Sequence, residues 1–266
     1  MINSLFLRRT LKQMSYQNLI PNNHNIDYSL NEDGYRTKNF KNNEDLLALG
    51  CSQTFGWGVN IDQTWPEIFA KNNNISVTNI SLPGDSAQGQ VTKAFEYFKR
   101  YGNPKIVIGV FPAYRIEFPI VEKFWSHGDE NTSTTKVAMI DVNENFEKIS
   151  KAPYKIEDIM LKEMATFYTH TFINILEQYC ISNNIKFLYN IWHKEYNEYP
   201  LKDIMMRHSK SYFPIEIVRK NCHIEFSDKK YFNCAADYEN KDRPGHWSYH
   251  DHIHISDSIE QYIKEE

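Results

Sequence analysis

Four short strand candidates, Asp45–Leu49, Ser76–Ser81, Lys105–Val110 and Ile185–Ile191, all but the second mainly apolar, constrain the fold more than any other feature of the chain. Each has the length of a buried strand rather than of a helix, and the first stops at Gly50. Between them lie segments with apolar residues at three- and four-residue steps: Trp65–Lys71, Gln90–Tyr101 and a long stretch from Ile156 to Asn183. In the last, Ile159, Met160, Met164, Phe167, Thr171, Ile175 and Leu176 fall on one stripe, which we read as core-facing. Strands alternating with helices predict an α/β fold with a parallel sheet covered on both faces.

At 266 residues the chain is long enough for one large α/β domain. We expect an N-terminal arm over residues 1–43, polar and rich in Asn, and a domain over 44–266 with insertions near 122–153 and 196–231. Both insertions follow strand ends, where extra chain commonly shapes a substrate pocket. Thirty basic residues against thirty-four acidic ones leave a net charge of −4, which argues against a nucleic-acid partner because that needs a concentrated basic face. Cys51, Cys180, Cys222 and Cys234 form no Cys-x-x-Cys pair and no zinc-ligand spacing, so a reducing compartment is favoured. No apolar stretch approaches the roughly 20 residues that cross a bilayer, and the first residues do not read as a secretory signal. The expectation is a cytoplasmic protein with no membrane partner.

The stop at Gly50 puts the Ser52 hydroxyl just past the carboxyl end of a strand, where open parallel sheets bind their ligands. A serine hydroxyl is a poor nucleophile at neutral pH and needs an imidazole to take its proton. Histidines are plentiful near the C-terminus: His246, His250 and His254 recur every four residues, with His252 between them. Three imidazoles on one helical face can bind zinc or nickel, but a strict metal face rarely carries Trp247 and Tyr249 between its ligands, and the His spacing also suits a solvated helix. We expect no metal and no cofactor, and read His252 as a packing or capping residue of the last helix.

The run Gly50-Cys51-Ser52-Gln53-Thr54-Phe55-Gly56 resembles the opening motif of the SGNH (GDSL-type) hydrolases, with Cys51 where Asp is usual. The C-terminal His246, Ser248, His252, Ile255 and Ser256 look like the ending of that family, although Arg243 stands where its Asp-x-x-His pattern has the acid. Asn31-Glu32-Asp33-Gly34-Tyr35-Arg36 is similar to the family's lead-in, and Asn79 to Ser86 to its second motif. The third motif, Gly-x-Asn-Asp, is absent: after the strand the chain reads Phe111-Pro112-Ala113-Tyr114-Arg115.

The resemblance implies a three-layer α/β/α sandwich with a flavodoxin-like sheet, and a serine esterase acting through an acyl-serine intermediate. It assigns Ser52 as nucleophile and His246 as base. Asp242 is the first choice for orienting His246, with Asp237 next and a backbone carbonyl as a third option. The amides of Ser52 and Gly84 would hold the oxyanion, with Tyr114 or Arg115 near the place of the missing Asn donor. Arg115 could instead bind a substrate carboxylate or pair with Glu117. The implied substrate is a small acyl ester, with O-acetylated carbohydrate as one class. The alternative is a non-catalytic module of the same fold that binds a glycan or peptide. Oligomeric state is not legible in the sequence.

Overall fold

The computed structural model describes residues 26–112, 115–122, 134–141, 158–191, 211–212, 247 and 249–265. In chain order its elements are β1 (Leu46–Gly50), α1 (Ser52–Phe55), α2 (Trp65–Asn73), β2 (Val77–Asn79), α3 (Ala87–Tyr101), β3 (Ile106–Phe111), β4 (Arg115–Glu122), β5 (Thr134–Asp141), α4 (Asp158–Ser182), β6 (Lys186–Ile191) and α5 (Tyr249–Glu265).

The four expected strands form one parallel sheet in the order β2-β1-β3-β6. Leu46 is in register with Val77 on one side and with Ile106 on the other, and Ile106 is aligned with Lys186. A single parallel bridge from Tyr189 to Tyr212, with Tyr189 N donating to Ser211 O at 2.8 Å, extends the pairing beyond β6. Strand order 2-1-3 with later strands added beyond β3 is the flavodoxin-like arrangement, whose ligands bind outside the carboxyl ends at the β1/β3 switch point.

Every residue of β1 is buried, and alternate residues serve opposite layers. Leu47, Leu49, Val107 and Phe111 join α3 and α4 in one core through Val91, Ala94, Phe98, Ile173 and Leu176. Leu46, Ala48, Ile108 and Val110 face the other way, onto Trp65 and Phe69 of α2 and Ile255 and Ile259 of α5. The result is the expected three-layer sandwich. No helix among the described residues is long and apolar enough to cross a membrane. Residues 26–43 lie against this domain, with Tyr28, Tyr35, Arg36 and Thr37 buried.

One local expectation changes. The stripe on α4 has a different phase: Phe167 and Ile175 are 58% and 47% exposed, whereas Ala165, Thr166, Thr169, His170, Ile173, Leu176, Glu177 and Cys180 are buried. Apolar side chains occur all round this helix, so their spacing alone could not fix the buried face. The bulk on that side already comes from α3, where Phe98 stacks on Tyr179 with centroids 5.1 Å apart. After β3 the chain forms a hairpin for which no strand was expected at 115–122, β4 pairing antiparallel with β5 so that Arg115 is opposite Asp141 and Pro119 opposite Val137. Among the described strands this pair stands apart from the main sheet.

Burial of His170, which is 2% exposed, pulls its imidazole down from 6.5 to about 4. The native state holds it neutral, while the unfolded chain binds a proton below pH 6.5. Its contribution is therefore complete above that pH and is lost as pH falls from 6.5 to 4, by roughly 3 kcal/mol in all at 1.36 kcal/mol per unit. Urea unfolding at pH 7 and pH 4.5 should show a steeper loss for the wild type than for His170→Gln. Parallel pH profiles would contradict this.

Candidate active site

The chain must turn sharply after β1, and Gly50 permits it. A Cβ at this position would collide with the Thr54 side chain and lie 2.9 Å from the Val110 carbonyl oxygen. The turn leads through Cys51, buried and extended at φ −108° and ψ −150°, into α1, where Ser52 is the first helical residue. Ser52 keeps 8% exposure while Cys51 and Thr54 are fully enclosed, so the serine alone of the three approaches the rim. Thr54 Oγ1 accepts the indole N–H of Trp65 at 3.3 Å, which anchors α1 on α2. At the far end Gly56 takes φ 78°, a left-handed cap at which a Cβ would press on Thr64 and Val59.

A helix of four residues cannot hold itself together. Its carbonyls are satisfied largely from outside. Trp57 N reaches Ser52 O at 3.0 Å and Gly56 N reaches Gln53 O at 3.2 Å. Asn79 Nδ2 donates to Thr54 O at 2.9 Å. The buried Arg36 donates through Nη1 to Phe55 O at 3.3 Å and Gly56 O at 2.7 Å. Its Nη2 serves Val59 O and Asp27 O, each at 2.8 Å. The guanidinium lies 4.3 Å from the Tyr28 ring centroid, and burial lowers its pKa to about 10, so it remains a cation at neutral pH. The lead-in motif serves this one side chain. Asn31 Oδ1 accepts from Asp33 N and Tyr35 N at 3.1 and 2.9 Å, and Gly34 turns the chain at φ 88°.

The second motif forms a tight turn beside α1. Asp85 N donates to Leu82 O at 3.3 Å, with Pro83 and Gly84 at the corner and Gly84 at φ 79°. Ser86 then caps α3 by accepting from Gly89 N at 3.0 Å. Arg115 Nη1 donates to Asp85 O at 3.2 Å. The structure thus brings two candidates, Gly84 and Arg115, to one loop, with Arg115 bonded to the backbone next to Gly84. The Asp85 carboxylate is ion-paired with Lys93 and hydrogen-bonded by Gln90.

The C-terminal segment reaches the same rim. Gln53 Oε1, next to Ser52, accepts from Trp247 N at 2.8 Å, across 194 residues of sequence. Trp247 meets the His252 ring edge-on at 5.8 Å. His252 Nδ1 accepts from Trp65 N at 3.1 Å, so this histidine caps the start of α2 rather than its own helix, and its Nδ1 carries no proton. His246, Asp242, Asp237 and Tyr114 lie outside the described residues. On α5, His250 is exposed while His252 is buried, and among the described residues no three His, Cys, Asp or Glu side chains gather as a metal site.

Sequence reasoning missed Gln53, Asn79 and Gln90, whose amides bind backbone groups brought near only by folding. One signal was available: Gln90 falls on the inward stripe of α3 with Ala87, Val91 and Ala94, where an uncharged polar residue needs buried partners.

No family model matches the sequence, and no curated protein matches it. Among solved structures the chain is similar to the psychrotrophic esterase EstA from Pseudoalteromonas sp., at 12% identity and TM-score 0.43, over 83% of this chain and 96% of that one. It is similar to TesA at 12% identity and TM-score 0.48, over 82% and 97%. A G-D-S-L family protein from Desulfitobacterium hafniense DCB-2 matches at 13% identity and TM-score 0.39, over 83% and 99%.

Arg36→Met should leave several buried carbonyls without a donor and destabilise the protein by at least about 3 kcal/mol. Arg36→Lys should recover less than half of the loss, since an ammonium cannot reproduce the fork. Thermal and urea unfolding measure both, and a loss below about 1 kcal/mol for Arg36→Met would contradict the assigned role.

Proposed function

We propose that the protein is an ester hydrolase of the SGNH (GDSL-type) kind, working through an acyl-serine at Ser52. The observation that carries the reading is the 2.8 Å bond from Trp247 N to Gln53 Oε1. It joins the neighbours of Ser52 and His246, so the two residues that the motif resemblance pairs are each one position from a direct contact. The β1/β3 switch point adds support, because this is where a parallel sheet of this order binds ligands.

In the reaction His246 takes the proton of Ser52 Oγ as the oxygen attacks the ester carbonyl carbon. The carbonyl π electrons move onto oxygen, and the amides of Ser52 and Gly84 donate to that oxyanion. The intermediate collapses with cleavage of the bond to the alcohol, which leaves with the proton held by His246. Water then attacks the acyl-serine, giving its proton to His246, and a second collapse releases the acid and restores the serine. Asp242 accepts from the other imidazole nitrogen and fixes its tautomer.

Arg115 acts differently from the donor of the missing third motif. Its bond to Asp85 O supports a bracing role for the loop that carries Gly84. One fewer side-chain donor to the oxyanion weakens transition-state stabilisation by about 3 kcal/mol, so we expect a slow esterase. The substrate class is a small acyl ester, with O-acetylated carbohydrate the class to test first on the resemblance of the motifs alone.

Ser52→Ala should abolish p-nitrophenyl acetate turnover without changing the circular dichroism spectrum, and His246→Ala should be nearly as severe because the two act as one unit. Asp242→Asn should cost less than either, and exhaustive chelation should cost nothing. Undiminished turnover by folded Ser52→Ala would end the acyl-serine reading. Loss of turnover with Asp237→Asn but not Asp242→Asn would move the acid role to Asp237.

A further inference from the structure

Gln90 sits fully buried in the first turns of α3, between the loop that carries Ser52 and the loop that carries Gly84. Its Oε1 accepts from Gly50 N at 3.0 Å. That bond fixes the orientation of the amide, since a backbone N–H can only meet the oxygen. Nε2 is thereby turned to Ile80 O at 3.5 Å and to the Asp85 carboxylate. One side chain therefore holds the end of β1, the end of β2 and the second loop together. Gly50 is two residues before Ser52, and Asp85 is one residue after Gly84.

Asp85 has no freedom to drift from this arrangement. Its carboxylate also pairs with Lys93, its amide closes the turn on Leu82 and its carbonyl accepts from Arg115. A glutamate at position 90 could still accept from Gly50 N but could not donate to Asp85, and would face a second carboxylate. A leucine could do neither. The site demands a group that accepts at one end and donates at the other.

We infer that Gln90 is a positioning residue for the reaction proposed above, setting the separation between the Ser52 turn and the Gly84 amide that would hold the oxyanion. It touches no substrate. Its effect passes through Gly50 on one side and Asp85 on the other, and it rests on the acyl-serine reading for its catalytic consequence.

A swap of amide and carboxylate tests this. Gln90→Glu breaks the bond to Asp85, and the double variant Gln90→Glu/Asp85→Asn restores it with donor and acceptor exchanged while keeping a carboxylate near Lys93. Turnover of p-nitrophenyl acetate and backbone hydrogen exchange across residues 82–86 are measured in the wild type and both variants. Gln90→Glu should lower kcat at least about tenfold, a fraction of the 10²–10³ lost when an oxyanion donor is removed outright. KM should stay within about twofold, because ground-state binding is untouched. Exchange at Gly84 and Asp85 should quicken, and the double variant should regain most of both properties. A merely structural glutamine would change melting temperature without this reciprocal recovery of kcat. A kcat within twofold of wild type for Gln90→Glu, or a folded double variant no faster than the single one, would overturn the inference. If the single variant does not fold, the double variant decides alone: kcat within about tenfold of wild type supports the inference and a lower value overturns it. If the wild type hydrolyses no ester, the acyl-serine reading fails and the catalytic consequence with it. The exchange data then decide the coupling by themselves, wild-type exchange in Gln90→Glu refuting it.

Discussion

A four-residue helix that must hold a serine at a sheet rim depends on donors from elsewhere in the chain. Arg36 is the principal one. Its guanidinium caps the carbonyls of Phe55, Gly56 and Val59 and stacks on Tyr28, so residues well before the first strand set the exit of α1. Burying a cation is costly unless its hydrogen bonds are met. Here four carbonyl oxygens meet those of Nη1 and Nη2, while the buried Nε has no hydrogen-bond partner among the described residues, and the lowered pKa of Arg36 reflects a desolvation that the four bonds offset only in part.

The same principle runs through the rest of the rim. Asn79 ties the end of β2 to Thr54, Gln90 ties Gly50 to Asp85, Gln53 ties α1 to Trp247, and His252 ties α5 to the start of α2. Each link pairs a buried side chain with a backbone group or charge whose burial would otherwise be unfavourable. Together they make the geometry around Ser52 a property of the whole domain rather than of its local sequence. Rigid support of this kind is what a preorganised site requires.

The sheet was legible because strands buried on both faces are mainly apolar, as β1, β3 and β6 are, and all four strands fall within a residue or two of the expected runs, although β2 has Val77 as its one apolar residue. The face of α4 was not, since Phe167 and Ile175 are as apolar as the residues that pack inward. The hairpin was obscured by Pro119, which removes a ladder donor and argues against a central strand. A two-stranded ribbon has only edges, and there a proline is tolerated. At the site, Ser52 was visible through the glycines that its turn requires, and Arg36 was visible as a motif without its role. Gln53 carries no local mark because its partner is distant in sequence, and Gln90 is marked only as an uncharged polar residue on the inward stripe of α3.

The proposed activation of Ser52, at the start of α1, by an imidazole arriving from the far end of the chain is open to direct measurement. Labelling with a fluorophosphonate probe, with the adduct mapped by mass spectrometry, tests it most directly. A single adduct on Ser52 is expected, formed at a rate that rises with pH through the imidazole range at about 6.5 and lost in His246→Ala. An adduct on another residue, or a Ser52 adduct formed equally fast without His246, would contradict it.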